Sequence, residues 1–157
     1  MGIQEVFYIT LLTFLPALEL RASIPYALLG TDFGLSIIPF IILLNILLGE
    51  IIFFLLNTIL PYLLRISTLN KIYQNYVKKI QIKAEKYVSR YGVLGLAIFI
   101  GIPLPGSGVY TGALAGFVLG FKRRDFSKAN IVGVVIAGTI VTLLVLSGLN
   151  IFDFLIK

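Results

Sequence analysis

Residues 93–121 read Val93-Leu94-Gly95-Leu96-Ala97-Ile98-Phe99-Ile100-Gly101-Ile102-Pro103-Leu104-Pro105-Gly106-Ser107-Gly108-Val109-Tyr110-Thr111-Gly112-Ala113-Leu114-Ala115-Gly116-Phe117-Val118-Leu119-Gly120-Phe121. Two prolines and two glycines interrupt this apolar run at its centre. Proline removes a donor and glycine adds backbone freedom, so the run is expected to form two helical arms and not one helix. Arms of about 11 and 13 residues reach roughly 16 and 20 Å at 1.5 Å per residue, short of the ~30 Å hydrocarbon core of a bilayer.

The flanks decide how the run lies. Seven basic residues fall between Arg65 and Arg90 before it, and Lys122, Arg123, Arg124 and Lys128 follow it. With Glu85 and Asp125 included, the two segments carry +6 and +3, leaving −3 for the rest of a chain whose net charge is +6. The positive-inside bias places both segments in the cytoplasm, so the run between them starts and ends on one side. A re-entrant hairpin over residues 93–121 fits. Irregular backbone at that depth is tolerated only inside protein or against a wet cavity, so the tip should point at something functional. The alternative is one proline-kinked spanning helix with a basic segment left outside.

Upstream, an apolar arm from Ile3 to Leu15 meets Pro16-Ala17-Leu18-Glu19-Leu20-Arg21-Ala22-Ser23-Ile24-Pro25. This predicts a second hairpin over residues 3–30, or else a spanning helix kinked at Pro16. Met1 to Phe14 holds an acid and no base, a poor fit to a signal peptide. Residues 35–64 are long enough to cross from outside to inside, and residues 129–150 to return. Within the linker at 65–91, residues Lys71 to Tyr91 carry helical periodicity, with Tyr73, Tyr76, Ile80, Tyr87 and Tyr91 on one face and lysines on the others. That pattern suits a helix lying among cytoplasmic headgroups.

The expected fold is therefore an all-α integral membrane domain spanning residues 1–157, built as two inverted repeats (1–64 and 92–157). Each repeat is a re-entrant helical hairpin followed by a transmembrane helix, and a basic amphipathic helix at 65–91 joins them. The linker is expected in the cytoplasm and both termini outside. Composition agrees: 59% of residues are hydrophobic and 13% charged, against roughly 25% charged in soluble domains. The chain has no Cys, His or Trp. Disulfides, thiolate or histidine catalysis and Cys/His metal sites are thereby excluded, which favours a transporter, channel or membrane organiser over an enzyme and calls for no cofactor. Nucleic acid is not an expected partner, because the basic residues follow membrane topology.

Glu19-Leu20-Arg21-Ala22-Ser23-Ile24-Pro25-Tyr26-Ala27 together with Ile102-Pro103-Leu104-Pro105-Gly106-Ser107-Gly108-Val109-Tyr110-Thr111-Gly112-Ala113-Leu114-Ala115 resemble the small multidrug export proteins. That family is similar to the wider DedA or VTT superfamily, whose two re-entrant hairpins serve polyprenyl-phosphate translocases and lipid scramblases. The resemblance covers nearly the whole chain. DedA members carry arginines around the second Pro-Gly, where this chain has uncharged Ser107, Gly108 and Val109.

Charges at bilayer depth cost roughly 2.5–3.5 kcal/mol and mark function by default. Glu19 and Glu50 are thus candidate proton-coupling residues, and Arg21 a candidate substrate-binding residue. Gly106, Ser107 and Gly108 precede a helix start whose amides and positive dipole end suit an anion, with Ser23, Tyr110 and Thr111 adding hydroxyls. Gly112-x3-Gly116-x3-Gly120 predicts close helix packing within the chain or across a homodimer. The leading expectation is a transporter moving an anionic lipid headgroup with proton coupling, and the resemblance implies that the lipid is a polyprenyl phosphate. A proton-driven exporter of small cationic drugs and a non-transporting membrane organiser are the alternatives.

Overall fold

Each of the two apolar stretches that carry a proline break folds as a pair of short helices. In the computed structural model, which describes residues 2–16, 18–60, 88, 91–104 and 106–148, α1 (Ile3–Phe14) ends where Leu15 turns extended, φ −75° and ψ 128°. Leu15 precedes Pro16, whose ring disfavours helical backbone in the residue before it. α2 (Glu19–Gly30) resumes beyond the break. The second pair repeats the device: α4 (Val93–Gly101) stops at Ile102, φ −76° and ψ 118°, ahead of Pro103, and α5 (Val109–Val118) follows. α1 packs on α2 and α4 on α5. At 9 to 12 residues these helices run about 14–18 Å.

A long helix follows each pair. A single 3-10 turn, Gly34–Ile37, leads into α3 (Ile38–Thr58), and Pro39 sits in its first turn, where a missing N–H is harmless. α6 (Arg123–Leu146) begins six residues before the expected 129, because nothing between Lys122 and Ile131 breaks a helix. Arg123, Arg124 and Lys128 therefore lie in its opening turns, where Asp125 complements the positive dipole end. Most of the expected linker at 65–91, and the ends of the expected spanning helices at 61–64 and 149–150, lie outside the described residues.

α3 and α6 are long and apolar enough to cross a membrane, and only 33% and 39% of their most apolar stretches are buried. Leu43, Leu47, Ile51 and Phe54 on α3, and Ile131, Val135, Leu143 and Leu146 on α6, face outward. Water would penalise such a surface and hydrocarbon does not.

The long helices tie the pairs together. α3 packs against α5, and α6 packs against α4 and α2, so each long helix supports the second arm of the other half. Between α3 and α6 the rings of Phe53 and Phe126 stack at 4.0 Å and 5°. The small-residue stripe on α5 serves this packing: a methyl at Gly112 would collide with Ile100 and one at Gly116 would come within 2.9 Å of Phe126, whereas Gly120 faces open space. The result brings the two proline-broken tips face to face.

Candidate functional site at the paired helix tips

The first amides of any helix have no partner within it. At α5 those amides meet a carboxylate from the other pair: Glu19 accepts from Val109 N at 3.2 Å and Tyr110 N at 3.4 Å. Glu19 is 4% exposed, and its backbone is left-handed at φ 47°. Such backbone is costly for a non-glycine residue and gathers at functional sites. Gly108, at φ 106° and ψ −171°, admits the carboxylate, since any Cβ there would collide with it.

Arg21 reaches the same tip. Its guanidinium donates to Ser107 O at 3.0 Å and Ser107 Oγ at 2.9 Å. Residues two apart on a regular helix diverge, but the left-handed turn at Glu19 opens the first turn of α2 and both side chains converge. Tyr110 adds a third tie by donating its hydroxyl to Phe14 O at the end of α1. Leu104 N donates to Ser107 Oγ at 3.2 Å, holding the second tip in shape.

The other expected site residues have narrower roles. Ser23 is fully buried and donates to Glu19 O at 3.1 Å, bracing the strained turn from behind. Thr111 donates to Gly108 O at 3.4 Å within its own helix, and Gly106, at φ 81°, bends the tip. Glu50 lies elsewhere, between α3 and α6, accepting from Ser127 Oγ at 2.9 Å and Asn130 Nδ2 at 3.3 Å. Asn130 Nδ2 also donates to Ile46 O at 2.9 Å. Gly49 makes room, because a Cβ there would collide with the Asn130 amide.

Ser127 and Asn130 were not among the expected site residues, although their i, i+3 spacing on an apolar helix is the signal that places both on one face. Asn45 was missed too. It is 1% exposed, neither side-chain polar atom has a partner, and it lines a cavity of about 10 Å³ with Glu19, Arg21, Gly108 and Val109. An orphaned buried amide costs about 1–3 kcal/mol, so its retention calls for a reason. Among the described residues, no group of three or more acidic side chains comes together to hold a metal.

The tips thus join two helix-start amides to one buried carboxylate, with the Arg21 guanidinium tied to Ser107 beside them. No curated protein and no solved structure matches the chain. The family described as "Putative small multi-drug export protein" matches residues 19–140, more than three quarters of the length and inclusive of Glu19, Arg21 and the second tip, and the chain belongs to that family.

Proposed function

We propose that this membrane protein is a carrier and not an enzyme, moving an anionic headgroup of the lipid-phosphate kind across the bilayer together with a proton. The observation that supports this is the seat of Glu19: two α5 amides at 3.2 and 3.4 Å, with Arg21 beside them. Those are donors for an oxyanion, and an internal carboxylate occupies them as a plug. Protonating Glu19 removes the charge that holds it there and yields the seat to a substrate anion.

In this reading the helix pairs are re-entrant hairpins related as an inverted repeat, and their tips part on one side and then the other. Arg21, Ser107, Tyr110 and Thr111 meet the headgroup at the bend made by Gly106 and Gly108, Ser23 braces Glu19, and Glu50 belongs to the contact between the long helices. The basic linker lies in the cytoplasm with both termini outside. Membrane lipids, and a second copy of the chain, are the expected partners. The polyprenyl-phosphate identity rests on the likeness to the DedA superfamily.

Proton-driven export of cationic compounds is the second reading, favoured by the family's description and by the burial of Glu19. Two variants in proteoliposomes separate them. If the substrate is an anion, Glu19→Gln retains lipid-phosphate binding but loses its pH dependence, and Arg21→Ala weakens binding by about tenfold or more. If it is a cation, Glu19→Gln abolishes dye binding and Arg21→Ala spares it. Unchanged flux of both substrates in both variants overturns both readings and leaves the membrane organiser.

A further inference from the structure

The cavity beside Glu19 holds a polar group that the anion seat does not use. Asn45 enters it from α3, 1% exposed, with Oδ1 and Nδ2 both unpartnered. At about 10 Å³ the cavity has room for about one water, and Asn45 and Glu19 both line it. Buried amides are ordinarily paired, and an open one beside a titratable acid points to a second arrangement of the same groups.

The surroundings of Glu19 are spare. Arg21 is its charged neighbour on α2, and α5 presents the Val109 and Tyr110 amides and the Tyr110 phenol. From α3, α4 and α6 the cavity receives Asn45, Ile100, Val134 and Ala137, none of which titrates.

We propose that Asn45 is the alternate seat of Glu19: the protonated carboxyl leaves the α5 amides, swings across the cavity and pairs with the Asn45 carboxamide. The acid O–H donates to Asn45 Oδ1 while Asn45 Nδ2–H donates to the acid carbonyl oxygen. A carboxylate has no proton to give and makes only the second bond, so the amide selects the protonated form. The swing empties the Val109 and Tyr110 amides for a substrate oxyanion. Asn45 is therefore a positioning residue, and its role rests on the anion reading above.

The test titrates the full-length protein in nanodiscs with short-chain phosphatidylglycerol and, in a parallel arm, inorganic sulfate, both of fixed charge from neutral to mildly acidic pH. Parent protein is expected to bind more tightly as pH falls, and Glu19→Gln to bind without pH dependence. Asn45→Leu, which keeps the branched shape and removes both polar atoms, is expected to move the midpoint about one unit toward acid, a tenfold change in proton affinity. Asn45→Ser keeps a hydroxyl, falls between, and serves if the leucine variant does not fold. In the Glu19→Gln background Asn45→Leu should leave binding independent of pH, because no acid remains whose protonated form the amide could select. A shift seen with lipid alone identifies the ligand as a headgroup, and one seen with sulfate as well identifies any oxyanion; either supports the alternate seat.

Difference infrared spectra supply an arm that needs no ligand. The acid carbonyl band lost in Glu19→Gln should change frequency in Asn45→Leu and Asn45→Ser. Parental midpoint and band in both variants overturn the alternate seat while leaving the anion reading intact. Binding that ignores pH in the parent protein overturns the anion reading, and the infrared band then decides the fate of the Asn45 pairing by itself.

Discussion

Glu19 and Glu50 are both carboxylates set in apolar helices, yet they are held by different kinds of partner. Glu19 accepts backbone amides from a tip 90 residues away, and Glu50 accepts side-chain donors from a neighbouring long helix. Backbone amides at a helix start move only with the whole helix, so Glu19 leaves them by turning its own side chain and the amides stay behind as an open seat. Ser127 and Asn130 can rotate away from Glu50 while α3 and α6 stay packed on the Phe53–Phe126 stack. On the proposed carrier reading the tips are the gate and the long helices its frame.

The comparison breaks most severely at Gly108. Gly108→Ala forces an alanine into backbone that only glycine occupies readily, costing about 1–3 kcal/mol, and drives a methyl into the Glu19 carboxylate. Transport in proteoliposomes should fall to background while α3 and α6 remain inserted. Parental flux in this variant would mean that the tips need not close as described.

Gly49→Ala attacks the frame instead. Its methyl displaces the Asn130 amide, removing the bonds to Ile46 O and Glu50, each worth about 1 kcal/mol. Overlap adds to that loss, while helix propensity returns about 1 kcal/mol. The net expectation is a destabilisation of about 1–2 kcal/mol, read as a lower melting temperature in detergent, with the pH dependence of binding unchanged. A variant that melts like the parent but loses its pH response would invert the assignment of gate and frame.

Much of this arrangement was legible in the chain. Pro16 and Pro103 marked where helices stop, since each forces the preceding residue extended, and Leu15 and Ile102 are extended. The occupant of the α5 amides was not legible. It depends on a contact between residues 90 positions apart and on a left-handed Glu19, a state that glutamate does not advertise. Asn45 was not legible as part of the tips, because along the chain it stands closest to Glu50 on the same helix. Five residues apart on a helix is about 140° around it, so the two look into different spaces. The early start of α6 was readable in principle, since the basic residues ahead of 129 carry charge and charge alone breaks no helix.

The smallest expected effect is also the sharpest discriminator between the two carboxylates. In Glu50→Gln the amide keeps the shape of the carboxyl and one acceptor oxygen, which Asn130 can still use. Ser127, deprived of the other oxygen, retains Arg123 O at 3.0 Å as an acceptor for its hydroxyl. The contact between α3 and α6 therefore survives, and flux should change by less than about threefold, within the worth of one neutral hydrogen bond. The pH midpoint should stay in place, in contrast to its disappearance in Glu19→Gln. If Glu50→Gln also flattens the pH profile, the proton does not stop at the tips, and the frame carries part of the coupling through Ser127 and Asn130.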